Sequence, residues 1–197
     1  MKKETNEQEP SVYRKVQTAA LQLFSQKGYE KVSIDDLCQT AEITKPTFYN
    51  HIPSKKALFL SFYELDRDDL EFLNHPDNDP DPVSGIIQIY RFLFNVCTGF
   101  GREMFTTLLQ ISLTTPQVEM DLRDELRIPL LQRIAAGKEQ GQIFQELSDT
   151  QILRMLNSFF YGYCYYFCNQ QIGVGSLEEL CEQLVTLLKT GGVSDEG

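Results

Sequence analysis

Residues 33–58 read SIDDLCQTAEITKPTFYNHIPSKKAL. The stretch holds two short amphipathic helices joined by a tight turn, then a third helix with a fresh cap. Ser33 and Asp36 have capping-box spacing, so a helix starts after Ser33 and turns Ile34, Leu37, Cys38 and Ala41 inward. Thr44 caps the next helix, which runs to His51. Pro46 is allowed there because the first helical turn has no internal partners for its N–H groups. By spacing this helix buries Phe48 and Ile52 and exposes Lys45, Thr47, Tyr49, Asn50 and His51. A helix so short, rich in donors and poor in acids, suits a DNA major groove better than a protein core.

The flanking sequence is helical almost throughout. Val12, Val16, Ala19, Ala20, Leu23 and Phe24 recur at three and four, which predicts a helix from Ser11 to Gln26, stopped by Gly28. Pro53 and Ser54 close the His51 helix and cap a fourth, expected to pass Leu58, Phe62 and Leu65 and reach Leu73. HPDNDPDP, residues 75–82, reads as a linker. Further helices are expected at Val83–Val96, Gly101–Leu113, Gln117–Gln140, Asp149–Gln170 and Ser176–Thr190. Gly141 and Gly191 suit C′ positions, and Ser176 with Glu179 spells another capping box. No alternating strand pattern appears. The fold class is all-α, with about nine helices.

Charge sharpens the reading. The net charge of −10 looks wrong for a DNA-binding protein, but it is unevenly spread. Residues 1–60 carry 9 Lys/Arg against 7 Asp/Glu, and residues 61–197 carry 9 against 21. The first segment is therefore about +2 and the second −12, so phosphate binding must be local and made of few contacts. No apolar run approaches the roughly 18–20 residues of a membrane span. The polar start MKKETNEQEP has no apolar signal region, and a cytoplasmic location is expected. The five Cys are odd in number and scattered, as expected of reduced core thiols.

Enzyme chemistry finds little support. There are two His, and no HExxH, P-loop, GxSxG or GxGxxG sequence. Cys164 and Cys168 lie one helical turn apart and could share a metal or a redox event. No His or carboxylate stands close in sequence to complete a metal site, so buried thiols are favoured. No cofactor or metal is expected.

With the helix preceding it, the run GYEKVSIDDLCQTAEI, TKPTFYNHI, PSKKALF resembles the N-terminal DNA-binding domain of the TetR family of transcriptional repressors. The resemblance covers roughly residues 11–60. It implies a three-helix helix-turn-helix domain at 1–60, with its motif near 33–52, and an effector-binding and dimerisation domain at 61–197. Two positions depart from the pattern. The family's turn commonly reads Ala-Gly, and here it is Ala41–Glu42; the third residue of the recognition helix is commonly Gly, and here it is Pro46. Pro46 cannot donate an N–H to DNA but can touch a thymine methyl.

The DNA-contacting set is expected to be Ser33, Thr44, Lys45, Pro46, Thr47, Tyr49, Asn50, His51 and Lys55. Thr44, Thr47 and Ser33 offer hydroxyls to phosphates near helix N-termini. Lys45 reaches guanine or phosphate, and Asn50 reaches adenine or phosphate. Tyr49 and His51 resemble the family's backbone-contacting pair, and Lys55 its phosphate-binding lysine. One short helix reads few bases, so a homodimer on palindromic double-stranded DNA is expected, with half-sites about 34–36 Å apart or a multiple.

By resemblance, the last two helices pair with a partner's. Phe159, Phe160, Tyr163, Phe167, Leu180, Leu184 and Leu187 are the expected dimer surface. Sixteen of the 22 Phe and Tyr lie after residue 60. Phe92, Phe100, Met104, Phe105, Leu108, Tyr161 and Tyr165 are expected around a cavity for a small apolar or aromatic effector. The acidic charge and the tyrosines also suit a cationic effector. Two other readings stand beside this one. The effector could be a partner protein, or the chain could be a small-molecule binder with a vestigial DNA-binding head.

Overall fold

The computed structural model describes residues 11–64, 70, 81–114, 124–169 and 177–190. Among these residues there are nine α-helices and no strand. The chain divides into two compact units, residues 1–64 and 65–197.

The first unit holds α1 (Val12–Lys27), α2 (Ile34–Thr40), α3 (Lys45–His51) and α4 (Lys55–Leu60). Local caps place each start. Ser11, Ser33, Thr44 and Ser54 each accept the backbone N–H three residues on through the side-chain oxygen. Gly28 ends α1 at φ 79, ψ 148, a backbone region that Gly enters without a Cβ clash. The core then closes on α1. Val16, Ala20 and Phe24 meet Leu37, Phe48, Ile52, Leu58 and Phe59, all at most 2 % exposed. Phe24, Tyr29 and Phe59 form a three-ring cluster with centroids 4.9–5.9 Å apart, and each tilted pair adds to its area burial.

The fourth helix is shorter than its periodicity predicts. α-Helical bonding ends at Leu60, a 3₁₀ turn spans Ser61–Tyr63, and Glu64 is extended at φ −76, ψ 127. The Ser61 hydroxyl donates to the Leu58 carbonyl at 2.8 Å, a back-bond that competes with continuation of the helix. The remainder of the expected helix lies outside the described residues, apart from Leu70.

The second unit holds α5 (Pro82–Thr98), α6 (Arg102–Thr114), α7 (Asp124–Glu139), α8 (Asp149–Cys168) and α9 (Leu177–Thr190). Asp81 caps α5 and Pro82 is its first residue, so the predicted linker's last two residues belong to a helix start. The linker's other residues, the start of the helix expected from Gln117, the Ser176–Glu179 box and Gly191 lie outside the described residues. α5 is the hub and packs on α6, α7 and α9. Its Ile86, Ile89 and Tyr90 have no exposed surface, and the Tyr90 hydroxyl donates to Asn157 Oδ1 of α8 at 2.6 Å. Gly137 of α7 permits a close approach, because a Cβ there would lie 2.6 Å from Ile143 Cδ1. Lys138 ties the α7–α8 turn by donating to the Leu147 carbonyl at 2.8 Å and to Asp149 Oδ1 at 3.1 Å.

Candidate nucleic-acid interface

The turn between α2 and α3 is a Schellman motif. The Ile43 N–H donates to the Cys38 carbonyl at 2.9 Å and the Glu42 N–H to the Gln39 carbonyl at 3.3 Å. That geometry needs a left-handed residue at position 42, and Glu42 adopts φ 55, alone among the described non-Gly residues in having a positive φ. The chain thus keeps the turn without the glycine that would relax it.

α3 is anchored by its buried face and presents the opposite one. Phe48 and Ile52 are 0 % and 2 % exposed, while Tyr49 is 53 % exposed, its ring standing edge-on to Phe48. Lys45, Pro46, Asn50 and His51 are exposed and Thr47 is half-buried. Thr44 and Thr47 share a hydrogen bond between hydroxyls at 2.8 Å, which orients both at the start of α3. Lys45 is engaged across the motif, with its ammonium 2.8 Å from Asp35 Oδ1 of α2. The bond to that carboxylate, then its charge, hold the Lys45 pKa above its ordinary value. Asp35 is a polar member of this surface that sequence reading passed over, since its pairing depends on how α2 meets α3.

Two of the expected contacts already have partners within the chain. Ser33 gives its N–H to Asp36 Oδ2 at 2.8 Å and its hydroxyl proton to the same oxygen, while its Oγ accepts the Asp36 N–H at 3.1 Å. A serine has one O–H donor, and here the capping box uses it; the Ser33 hydroxyl bond is the first cause of the lowered Asp36 pKa. Lys55 is drawn inward. Its ammonium donates to the carbonyls of Tyr29 and Val32, each at 2.9 Å, and lies 4.2 Å over the Tyr29 ring. It fastens the start of α4 to the loop after α1, with two of three N–H donors used there.

The sequence of this unit matches the model of the bacterial regulatory proteins of the tetR family over residues 18–62. Over those residues the chain carries a TetR-family DNA-binding domain. A relative in Staphylococcus aureus (strain Newman), the biofilm operon icaADBC HTH-type negative transcriptional regulator IcaR, is 26 % identical over 140 residues, which cover 70 % of this chain and 75 % of the relative. Among solved structures, Thermus thermophilus FadR, a TetR family transcriptional repressor in complex with lauroyl-CoA, matches with a TM-score of 0.67 and 19 % identity over 94 % of this chain and 97 % of that one. A transcriptional regulator from Saccharomonospora viridis in complex with choline matches at 0.62 and 19 % identity over 89 % and 94 %. The solved structures share the all-helical fold.

In a TetR-family chain, the second unit is where an effector and a dimer surface are sought. Of the seven residues expected around an effector, Met104, Phe105 and Leu108 are buried in the core, and Phe92, Phe100 and Tyr161 are half-buried. Tyr165 is 58 % exposed beside exposed Tyr166, so it points to solvent and lines no enclosed cavity. Of the expected dimer residues, Phe160 and Tyr163 are buried, and Leu180 and Leu184 have no exposed surface within a single chain. These four fill the protomer's own core; the apolar width of α8 and α9 is larger in sequence than in space because α5 and α6 cover much of it. Phe159, Phe167 and Leu187 stay partly exposed. Among the described residues, no helix is long and apolar enough to cross a membrane, and no group of three or more His, Cys, Asp or Glu is placed to hold a metal.

Proposed function

We propose that this chain is a repressor that binds a palindromic operator as a homodimer and leaves it when a small molecule occupies the second unit. The carrying observation is α3, whose apolar face is fixed by Phe48 and Ile52 while Lys45, Pro46, Tyr49, Asn50 and His51 face outward. Arg- and Lys-type donors and amides in this pose read guanine and adenine edges, and Tyr49, with Thr44 and Thr47, holds phosphates. The name of the relative IcaR, a negative regulator, supports repression.

Dimerisation is supported by α8. Gly162 sits in the middle of this helix, and a Cβ built there meets nothing within 4 Å. A mid-helix glycine costs about 0.5–1 kcal/mol relative to Ala, and close approach by a second copy's helix gives that cost a purpose. Ser158 and Tyr165 lie one turn to either side and are exposed, with Phe159 partly so. Effector release follows if the ligand prefers a form that does not hold DNA. The lauroyl-CoA and choline held by two solved structures of this fold support a small-molecule effector, and the aromatic residues of α5, α6 and α8 favour an apolar or aromatic one.

Selection of bound duplexes from a random DNA pool tests this. An inverted repeat is expected. Tyr49→Ala should weaken binding to the recovered site at least about tenfold, the order of one lost base or phosphate anchor, with helicity and dimer mass unchanged. Failure to enrich any sequence at low salt would refute the proposal.

A further inference from the structure

A groove of about 670 Å³ opens between α5, the α7–α8 turn and α9. That size accommodates a small organic molecule. Val83, Ile87 and Val185 supply apolar lining. Arg91 and Lys189 bring two cations to the same space, in a part of the chain that carries −12 over residues 61–197. With Asp81 also in the lining, the charged side chains of the groove are two cations against one anion, in a unit that is otherwise acidic.

The acid at the groove is already satisfied. Asp81 takes the Ser84 N–H at 3.0 Å and the Ser84 hydroxyl at 2.6 Å, and the Gln142 amide donates to it as well. These donors, the Ser84 hydroxyl first, hold the Asp81 carboxyl below its ordinary pKa. The Gln142 amide nitrogen is committed to Asp81, and the carbonyl oxygen of the same side chain is buried with no hydrogen-bond partner. A buried orphan acceptor is costly, and a ligand donor that reached it would relieve that cost. Arg91 gives one bond to the Cys181 thiol, and its guanidinium has five N–H donors, so others remain for a second acceptor.

We infer that this groove binds a small organic carboxylate with an apolar body and a hydrogen-bond donor. Arg91 and Lys189 hold the carboxylate, the planar guanidinium matching its two oxygens. The apolar body lies on Val83, Ile87 and Val185, and the donor meets Gln142. The site is separate from the aromatic residues of α6 and α8, and it does not depend on the DNA-binding reading.

Calorimetric titration of the full chain without DNA tests the inference. The probes are hippurate, octanoate and 3-phenyllactate, with the neutral amide of hippurate and phenyl phosphate as controls. Hippurate, which joins a carboxylate, an N–H and a ring, is expected to give saturable binding. Arg91→Gln and Lys189→Gln should each weaken it by about tenfold, the order of one charge-assisted hydrogen bond, with unchanged thermal melting. The neutral amide should bind at least about tenfold more weakly, for the same reason. No saturable binding by any of the three carboxylates overturns the inference, as does equal binding by the amide or by both variants. Binding of phenyl phosphate alone overturns the carboxylate assignment. The readout involves no operator, so its failure and a failure of DNA binding are separate results.

Discussion

The Lys55 ammonium donates to the Tyr29 carbonyl at 2.9 Å and lies 4.2 Å over the ring of the same residue. One side chain therefore satisfies a loop carbonyl and uses the electron-rich face of a half-buried ring. Val32 adds a second carbonyl at 2.9 Å. This clamp fixes α4 against the loop leading to α2. Lys55→Met should destabilise the folded chain by about 1–3 kcal/mol, the cost of leaving partly buried acceptors unpaired, seen as a lower urea midpoint. Its effect on DNA should come through folding. The slope of log affinity against log salt should match the wild type, whereas a lost phosphate contact would reduce it by about 0.9.

Lys45 and Asp35 make the opposite case, an ion pair in the open. Their side chains are 54 % and 70 % exposed at a separation of 2.8 Å, so solvent screens the pair and a base or phosphate can take Lys45 from it cheaply. The carboxylate nevertheless remains on a surface meant for polyanions. Asp35→Asn should tighten binding to random-sequence duplex at low salt and narrow the gap between operator and random DNA. Fluorescence anisotropy on the two duplexes measures both. Weaker binding to both would mean that Asp35 chiefly positions Lys45.

What the sequence disclosed follows the range of the interactions. Caps at Ser33, Thr44 and Ser54 act over three residues, so their spacing announces the helix starts. Phe48 and Ile52 reveal their burial by period alone. The destination of Lys55 was hidden, since Tyr29 is 26 positions away and only the fold brings its carbonyl near. Leu180 and Leu184 are buried within a single chain, and an apolar pattern alone does not tell a chain's own core from a partner's surface. The groove was illegible for the same reason: Arg91, Gln142 and Lys189 are distant in sequence and meet through three elements.

Glu42 offers a stability test at the motif itself. At φ 55 it carries the left-handed penalty of an L side chain, about 1–2 kcal/mol, for the Schellman turn. Glu42→Gly removes that strain but loosens the unfolded chain, and the net gain should be about 0.5–1 kcal/mol. The rise should appear in the urea midpoint. Glu42→Asn, which also removes the charge and tolerates this conformation, should recover part of it. A lower midpoint for Glu42→Gly would mean that the Glu42 side chain makes a stabilising contribution larger than the strain.

The thiols of the second unit set an alkaline limit. Burial first, then the neighbouring Cys168, pushes the Cys97 thiol up to about 12 from its ordinary 9.0. Burial raises Cys164 and Tyr90 in the same direction. A thiol raised in the folded state keeps its proton there after the unfolded chain has lost it. Its contribution is therefore complete below pH 9.0 and is lost as pH climbs toward 12. Within that window Cys97 removes about 1.4 kcal/mol of stability per pH unit. Urea midpoints taken from about pH 7 to 11 should be flat with respect to Cys97 below its unfolded pKa and fall above it. Cys97→Ala should lower stability at neutral pH through lost packing, yet show a shallower alkaline decline. Parallel curves for the two proteins would mean that Cys97 ionises as readily in the fold as outside it.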